Sequence, residues 1–190
     1  MSKPNFQITD KETGKKYWIS RSVIVIPMIF KADNNILYTL IEKRGNAVSN
    51  TGKWCCPCGY IDWDETFEEA CAREVREETG LNVSPNSFNF VSYNSIPDDS
   101  DNQNVSMRFL AFVSPYTELN MFNIETKDEI DDLQWLKIGY FENSYQNQMV
   151  LRIDYNSLND NNIKWAFNHN KLIPEVLSTH YKKYDNFQVV

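Results

Sequence analysis

Residues 67–79 read as a helix whose carboxylates fall where a soluble helix normally carries apolar side chains. Thr66, followed three residues later by Glu69, makes a capping box that satisfies free amides at the helix start. Gly80 supplies the left-handed residue that stops the helix. At about 100° per residue, Phe67, Cys71 and Val75 line one stripe with Ala70 beside it, and this stripe is expected to face the core. Glu74 and Glu78 fall within that stripe or at its edge. Arg73 and Glu77 flank it on one side, and Glu69, Ala72 and Arg76 point towards solvent. One reading is a solvated helix laced by i,i+4 Glu–Arg pairs. The other is a cation site. Glu74, Glu77 and Glu78, at i, i+3 and i+4 spacing, share one surface on which like charges repel and burial penalises ionisation, unless hard divalent cations sit among them.

Around this helix the chain reads mostly as strands. Residues 6–10 and 15–20 flank the Glu12-Thr13-Gly14 turn as a hairpin. Residues 22–30 are a buried-strand run in which Pro27 points to an edge position or a bulge. Asp33-Asn34-Asn35 turns the chain into a returning strand at 36–42, and a loop at 45–53 leads to Trp54. Further strands are expected at 88–94, 104–114 and 133–138, with a polar loop at 95–102. The tail from Tyr140 is aromatic and is expected to be helical at 141–149, 163–168 and 174–184. One strong helix between strand pairs implies a mixed sheet with helices on its faces.

The 190 residues suit one domain with a short appendage. A net charge of -7 and the lack of a basic face argue against a general nucleic-acid binder, whereas an acidic enzyme can meet an anionic phosphate substrate through metal cations. No apolar run approaches the roughly 20 residues that span a bilayer, and residues 1–10 lack a signal-peptide core, so a cytoplasmic protein without membrane contact is expected. Cys55, Cys56 and Cys58 include a C-x-x-C spacing. With no second ligand pair following it, reduced thiols packed in the core are expected rather than zinc or redox chemistry.

The stretch before the helix decides between the two readings. Gly59, Glu65, Arg73, Glu74, Val75, Glu77, Glu78, Gly80 and Leu81 fit G-x5-E-x7-R-E-U-x-E-E-x-G-U, with U a bulky aliphatic, at every position of the 23-residue pattern. This resembles the complete box of the Nudix hydrolases, and the flanking strands extend the resemblance over residues 22–138. It implies an α/β fold, a Nudix-type α/β/α sandwich with a central mixed β-sheet and the box as loop-helix-loop. On that resemblance residues 1–21 are an N-terminal hairpin or arm, 22–139 the catalytic core, and 140–190 a C-terminal helical segment packed on the core.

The resemblance also implies the chemistry. Glu74, Glu77 and Glu78 would hold Mg²⁺ or Mn²⁺, Glu65 and Arg73 would support the loop-helix geometry, and the backbone carbonyl before the first box glycine, here that of Cys58, would join the metal shell. The family usually has Gly at position 58, so Cys58 is a departure. It would strain the loop if the position required a positive φ. A later acid often completes such sites, with Glu129 the first candidate and Glu125 the second. Two or three cations would bridge carboxylates and diphosphate, and Glu74, Glu77 or Glu129 would take the proton of an attacking water.

The implied substrate is a small-molecule nucleotide, a nucleoside diphosphate linked to another moiety. Pro97, 16 residues beyond Leu81, is a family hint of ADP-ribose. Dinucleoside polyphosphates and nucleotide sugars are the alternatives. Tyr17, Trp18, Phe30, Tyr60 and Trp63 could stack a base, although most such residues pack structurally, and Trp63, in the polar loop of the box, is the one expected to be exposed. A rival of another class is a nucleotide-binding transcriptional sensor, which would append a DNA-binding module. The few basic residues of the tail, diluted by acids, speak against it. The tail aromatics suit either a cover for the base pocket or a homodimer contact.

Overall fold

A computed structural model describes residues 5–97, 103–143, 148–185 and 187–190. β1 (Phe6–Thr9) and β2 (Lys16–Ile19) form a separate two-stranded antiparallel sheet. Its turn is held by Asp10, whose carboxylate accepts the Glu12 and Thr13 N–H groups at 3.0 and 2.7 Å.

β3 (Val23–Asp33) and β4 (Ile36–Arg44) are joined by Asn34 and Asn35, both at positive φ. Asparagine tolerates the left-handed conformation that a two-residue hairpin of this hand requires. Short β5 (Trp54–Cys55) pairs with β4 and short β6 (Gly59–Tyr60) with β3. After α1 (Phe67–Thr79) come β7 (Asn89–Asn94), β8 (Val105–Phe112), β9 (Ile130–Asn143) and β10 (Met149–Ile153). The chain closes with α2 (Tyr155–Leu158), α3 (His169–Tyr181) and β11 (Phe187–Val189). The main sheet runs β11-β10-β9-β4-β3-β8-β7 and is mixed, with β3–β8 and β10–β11 parallel.

Side chains alternate across β3, so the two faces of the sheet receive different partners. Val25 and Ile29 pack with Leu40, Phe109 and Ala111 under Ala70, Cys71 and Val75 of α1. Met28 and Phe30 pack with Leu37, Ile41 and Ile138 under Leu172, Ile173, Val176 and Leu177 of α3. The result is the expected α/β/α sandwich with a mixed central sheet.

Two expectations are corrected. Pro27 lies in a central strand, not at an edge. Its position is tolerated because β4 pairs with β3 only from Phe30 onward and β6 only at Ile24 and Val25, leaving 26–29 without a ladder on that side. The tail is also not simply helical. Residues 141–143 continue β9, Met149 opens β10, and β11 extends the sheet, while residues 144–147 lie outside the described residues. The expected helix at 163–168 is instead irregular, with Trp165 bridged to Trp54 and a turn at 167–168, and α3 begins five residues before the expected start at 174. Pairing to β9 supplied the partners that turned aromatic, helix-compatible sequence into strand. Among the described residues, no helix is long and apolar enough to cross a membrane.

Candidate active site

Pairing of β6 with β3 sets Gly59 opposite Val25 and sends the chain through a loop into α1, which opens and closes as its capping residues demand. Glu69 N–H donates to Thr66 Oγ1 at 3.3 Å, Thr66 N–H donates to Glu69 Oε2 at 2.8 Å, and Gly80 adopts φ 71°. Arg73 ties the loop to the helix. Its Nε and Nη2 donate to the two oxygens of Glu65 at 3.1 and 2.8 Å, and Nη2 also donates to the Tyr60 carbonyl at 2.8 Å. Its Nη1 donates to Glu74 Oε1 at 2.7 Å and Glu77 Oε2 at 3.3 Å. Glu65 in turn accepts the Asp62 N–H at 2.6 Å. The guanidinium fork holds the Glu65 carboxyl below its usual range, and these carboxylates raise the pKa of Arg73.

Glu74 and Glu78 face the core side of the helix, 8% and 5% exposed. Glu74 fills the space above Gly59, where an added Cβ would overlap its carboxylate. Glu78 Oε2 accepts the Cys58 N–H at 3.0 Å. Burial pushes both carboxyls up, Glu74 against the pull of Arg73 and Glu78 further still because another carboxyl, Glu42 on β4, lies against it. Glu42 is fully buried, its own pKa raised well above the usual range by desolvation first and by the neighbouring Cys58 next. Its Oε1 accepts the Cys55 thiol at 3.4 Å, and Oε2 has no hydrogen-bond partner among the described residues.

Glu77 is half-buried and shared between Arg73 and Arg76. Its backbone carbonyl accepts the Glu125 and Thr126 N–H groups at 2.9 and 3.2 Å, docking the 125–129 loop onto the end of α1. The other end of this loop is fastened by Gly45, whose N–H donates to the Glu129 carbonyl at 2.6 Å. A side chain at position 45 would meet the Asp128 carbonyl oxygen at 2.7 Å, so close passage of the loop requires glycine there. Glu125 Oε1 accepts from Arg76 Nε at 3.0 Å, which directs that carboxylate to Arg76.

The structure thus brings Glu65, Arg73, Glu74 and Glu77 into one network and sets Glu78 beside Cys58 and Glu42. Among the described residues, no three acidic, histidine or cysteine side chains converge on one point at metal-binding spacing. Glu74 and Glu77 are drawn instead to Arg73. The donor set nevertheless fits hard divalent cations. Three carboxylates, those of Glu42, Glu74 and Glu78, are buried together, and one oxygen among them faces no donor. Position 58 is not among the positive-φ residues, so cysteine sits there without backbone strain. All four cysteines are free thiols, with Cys55, Cys56 and Cys71 buried.

Glu42 was absent from the sequence-based candidates. A carboxylate in the middle of an apolar strand, ILYTLIEKR, is the signal that could have found it. The contribution of the tail was equally hidden. Trp54 N–H donates to the Lys164 carbonyl at 2.8 Å, Ala166 N–H returns to the Trp54 carbonyl at 2.8 Å, and Cys56 N–H donates to Nδ1 of buried His169 at 2.9 Å. The segment entering the box is therefore held from behind by residues more than 100 positions later. Beside the box loop, an open groove of about 490 Å³ is lined by Val23, Tyr60, Asp62, Trp63 and Asp64, with Trp63 89% exposed.

The NUDIX domain family model matches residues 20–149. The chain belongs to the Nudix family. An ADP-ribose pyrophosphatase of Methanocaldococcus jannaschii is 37% identical to this Nudix chain over 76 residues, 40% of the chain and 43% of that protein. A MutT/nudix family protein from Enterococcus faecalis shares the fold with a TM-score of 0.66 at 19% identity, over 88% of this chain and 64% of the other. The NUDIX domain of Shewanella oneidensis NrtR, solved in complex with ADP ribose, has a TM-score of 0.52 at 22% identity, over 62% of this chain and 73% of the other. The chain spans under half the length of the curated relatives it matches.

Proposed function

We propose that this Nudix chain is a divalent-metal-dependent pyrophosphohydrolase that splits the diphosphate of an ADP-ribose-like nucleotide, with water as co-substrate and two monophosphates as products. The observation that carries the reading is the burial of Glu74 and Glu78 on the core side of α1, beside a further buried carboxylate with an unpartnered oxygen. Burying acids in this way is costly and becomes favourable when cations share the site. Glu74, Glu77 and Glu78 would hold Mg²⁺ or Mn²⁺, with the Cys58 carbonyl and Glu129 as further ligands. When bound, such cations polarise phosphoryl oxygens and acidify a bound water.

The chain's own residues do the rest. Arg73 fixes Glu65, Glu74 and Glu77 relative to one another, so that the carboxylates are oriented before substrate arrives. Glu74, Glu77 or Glu129 would accept the proton of the attacking water, and the lesser burial of Glu77 among the three box acids on α1 favours it. Trp63 and Tyr60, on the groove beside the box, offer an aromatic surface for the nucleobase. The ADP-ribose preference rests on the name of the Methanocaldococcus relative and on Pro97, with support from the ligand of the NrtR domain.

The test is product release with Mg²⁺ or Mn²⁺ from ADP-ribose, nucleotide sugars, diadenosine polyphosphates, NADH and nucleoside triphosphates. Chelator-sensitive conversion of ADP-ribose to AMP and ribose 5-phosphate is expected. Metal binding with no turnover of any member would overturn the enzyme reading in favour of a nucleotide sensor.

A further inference from the structure

We infer that Glu42 belongs to the cation site as a further carboxylate, delivered by the central sheet and not by the box. The inference rests on the metal-dependent reading above and adds a residue to it. Alternation along β4 sets Glu42 on the same side of the sheet as Leu40, which packs under α1, whereas Leu37 and Ile41 pack on the α3 side. Glu42 therefore points at the helix that carries Glu74 and Glu78. It pairs in register with Cys55 of β5 and Leu133 of β9, so it occupies the interior of a strand flanked on both edges, where an apolar residue would be the stable choice.

The Arg44 guanidinium acts on Glu42 but forms no ion pair with it among the described residues, so a structural role would leave this carboxyl short of partners. Among the described residues, Glu42 accepts from the Cys55 thiol at 3.4 Å, a weak donor, and otherwise lies against the Glu78 carboxyl, its Oε2 meeting no donor. Its nearest carboxyl neighbour is Glu78, which the Cys58 N–H holds at 3.0 Å. Sheet, box loop and helix thus deliver Glu42, the Cys58 backbone and Glu78 to one place. Two fully desolvated carboxyls in contact repel when ionised, and a shared divalent cation turns that repulsion into coordination.

Electron paramagnetic resonance titration of the full chain with Mn²⁺ alone tests this, comparing wild type, Glu42→Gln, Glu78→Gln and the double variant. Glu42→Gln is expected to weaken Mn²⁺ binding about 10-fold or more, while the thermal midpoint of the metal-free protein is not lowered. The double variant is expected to lose less than the product of the single losses, because both residues act on one cation. Should Glu42→Gln fail to fold, Glu42→Asp, which keeps the charge but withdraws it by one methylene, is read in its place with the same expectation of weakened binding. Wild-type affinity in the Glu42 variant, with loss confined to Glu78→Gln, overturns the inference and leaves the functional reading intact. Absence of Mn²⁺ binding by the wild type overturns both.

Discussion

Arg73 and Glu65 are joined at two points, Nε to Oε2 at 3.1 Å and Nη2 to Oε1 at 2.8 Å, so that the loop before α1 is clasped to the helix it precedes. The remaining Arg73 donors serve Glu74, Glu77 and the Tyr60 carbonyl. Only a planar fork can satisfy this set. Lysine would keep the charge but lose the simultaneous contacts. Arg73→Lys is expected to lower turnover about 10- to 100-fold, with folding retained. Steady-state kinetics beside circular dichroism checks this, and full activity in the variant would show that charge alone suffices.

Gly59 is required by its neighbour and not by its own backbone, since φ there is not positive. A methyl group at this position would occupy the space of the Glu74 carboxylate. Gly59→Ala is expected to displace Glu74 and to cost turnover and Mn²⁺ affinity together. Removing the obstructed group should restore tolerance, so that Gly59→Ala in a Glu74→Ala background changes stability little. A double-mutant cycle in urea unfolding reads that coupling directly.

Glu74→Gln and Glu77→Gln are expected to separate stability from activity. Burial raises the Glu74 carboxyl, so its ionised form is disfavoured in the folded protein, and an amide of the same shape removes that penalty. The metal-free Glu74→Gln variant is expected to melt no lower than wild type while losing at least about 100-fold in turnover, as removal of metal-binding charge predicts. Glu77→Gln is expected to lose a similar factor. Turnover within a few-fold of wild type at saturating Mg²⁺ would remove these residues from the site.

Buried His169 accepts the Cys56 N–H on Nδ1, and burial lowers its pKa from 6.5 to about 4. The folded-state value lies below the unfolded one, so protonation favours the unfolded chain. The contribution of neutral His169 is complete above about pH 6.5 and is lost as pH falls towards about 4, to the extent of roughly 3 kcal/mol. The raised carboxyls of Glu42, Glu74 and Glu78 act in the opposite direction, favouring the fold as they protonate. Urea unfolding at pH 7 and pH 4.5 therefore needs a comparison with His169→Gln, whose lower stability at pH 7 should converge on wild type at pH 4.5. A constant gap between the two proteins would show that the histidine does not titrate.

The local chemistry of the box was legible from residue order because its causes are local. A threonine oxygen three residues from a glutamate caps a helix wherever it occurs, Gly80 ends it because other residues resist φ 71°, and the 3.6-residue period decides that Glu74 and Glu78 lie with Cys71 and Val75. The Asn34-Asn35 turn was legible on the same grounds. Position in the sheet was not. Pro27 suggested an edge position or a bulge, yet it occupies a central strand at the gap between two partial ladders, and only the pairings of β4 and β6 create that gap. Tail aromatics compatible with a helix became strand where β9 and β10 offered hydrogen-bond partners. Glu42 stands 36 residues before Glu78 on a strand whose period alone says nothing of what lies opposite, and His169 reaches Cys56 across 113 residues. Local propensity acts over a few residues and is written in their order. Long-range pairing and burial depend on which distant segments meet, and it was these contacts that set a fully buried carboxylate against the box.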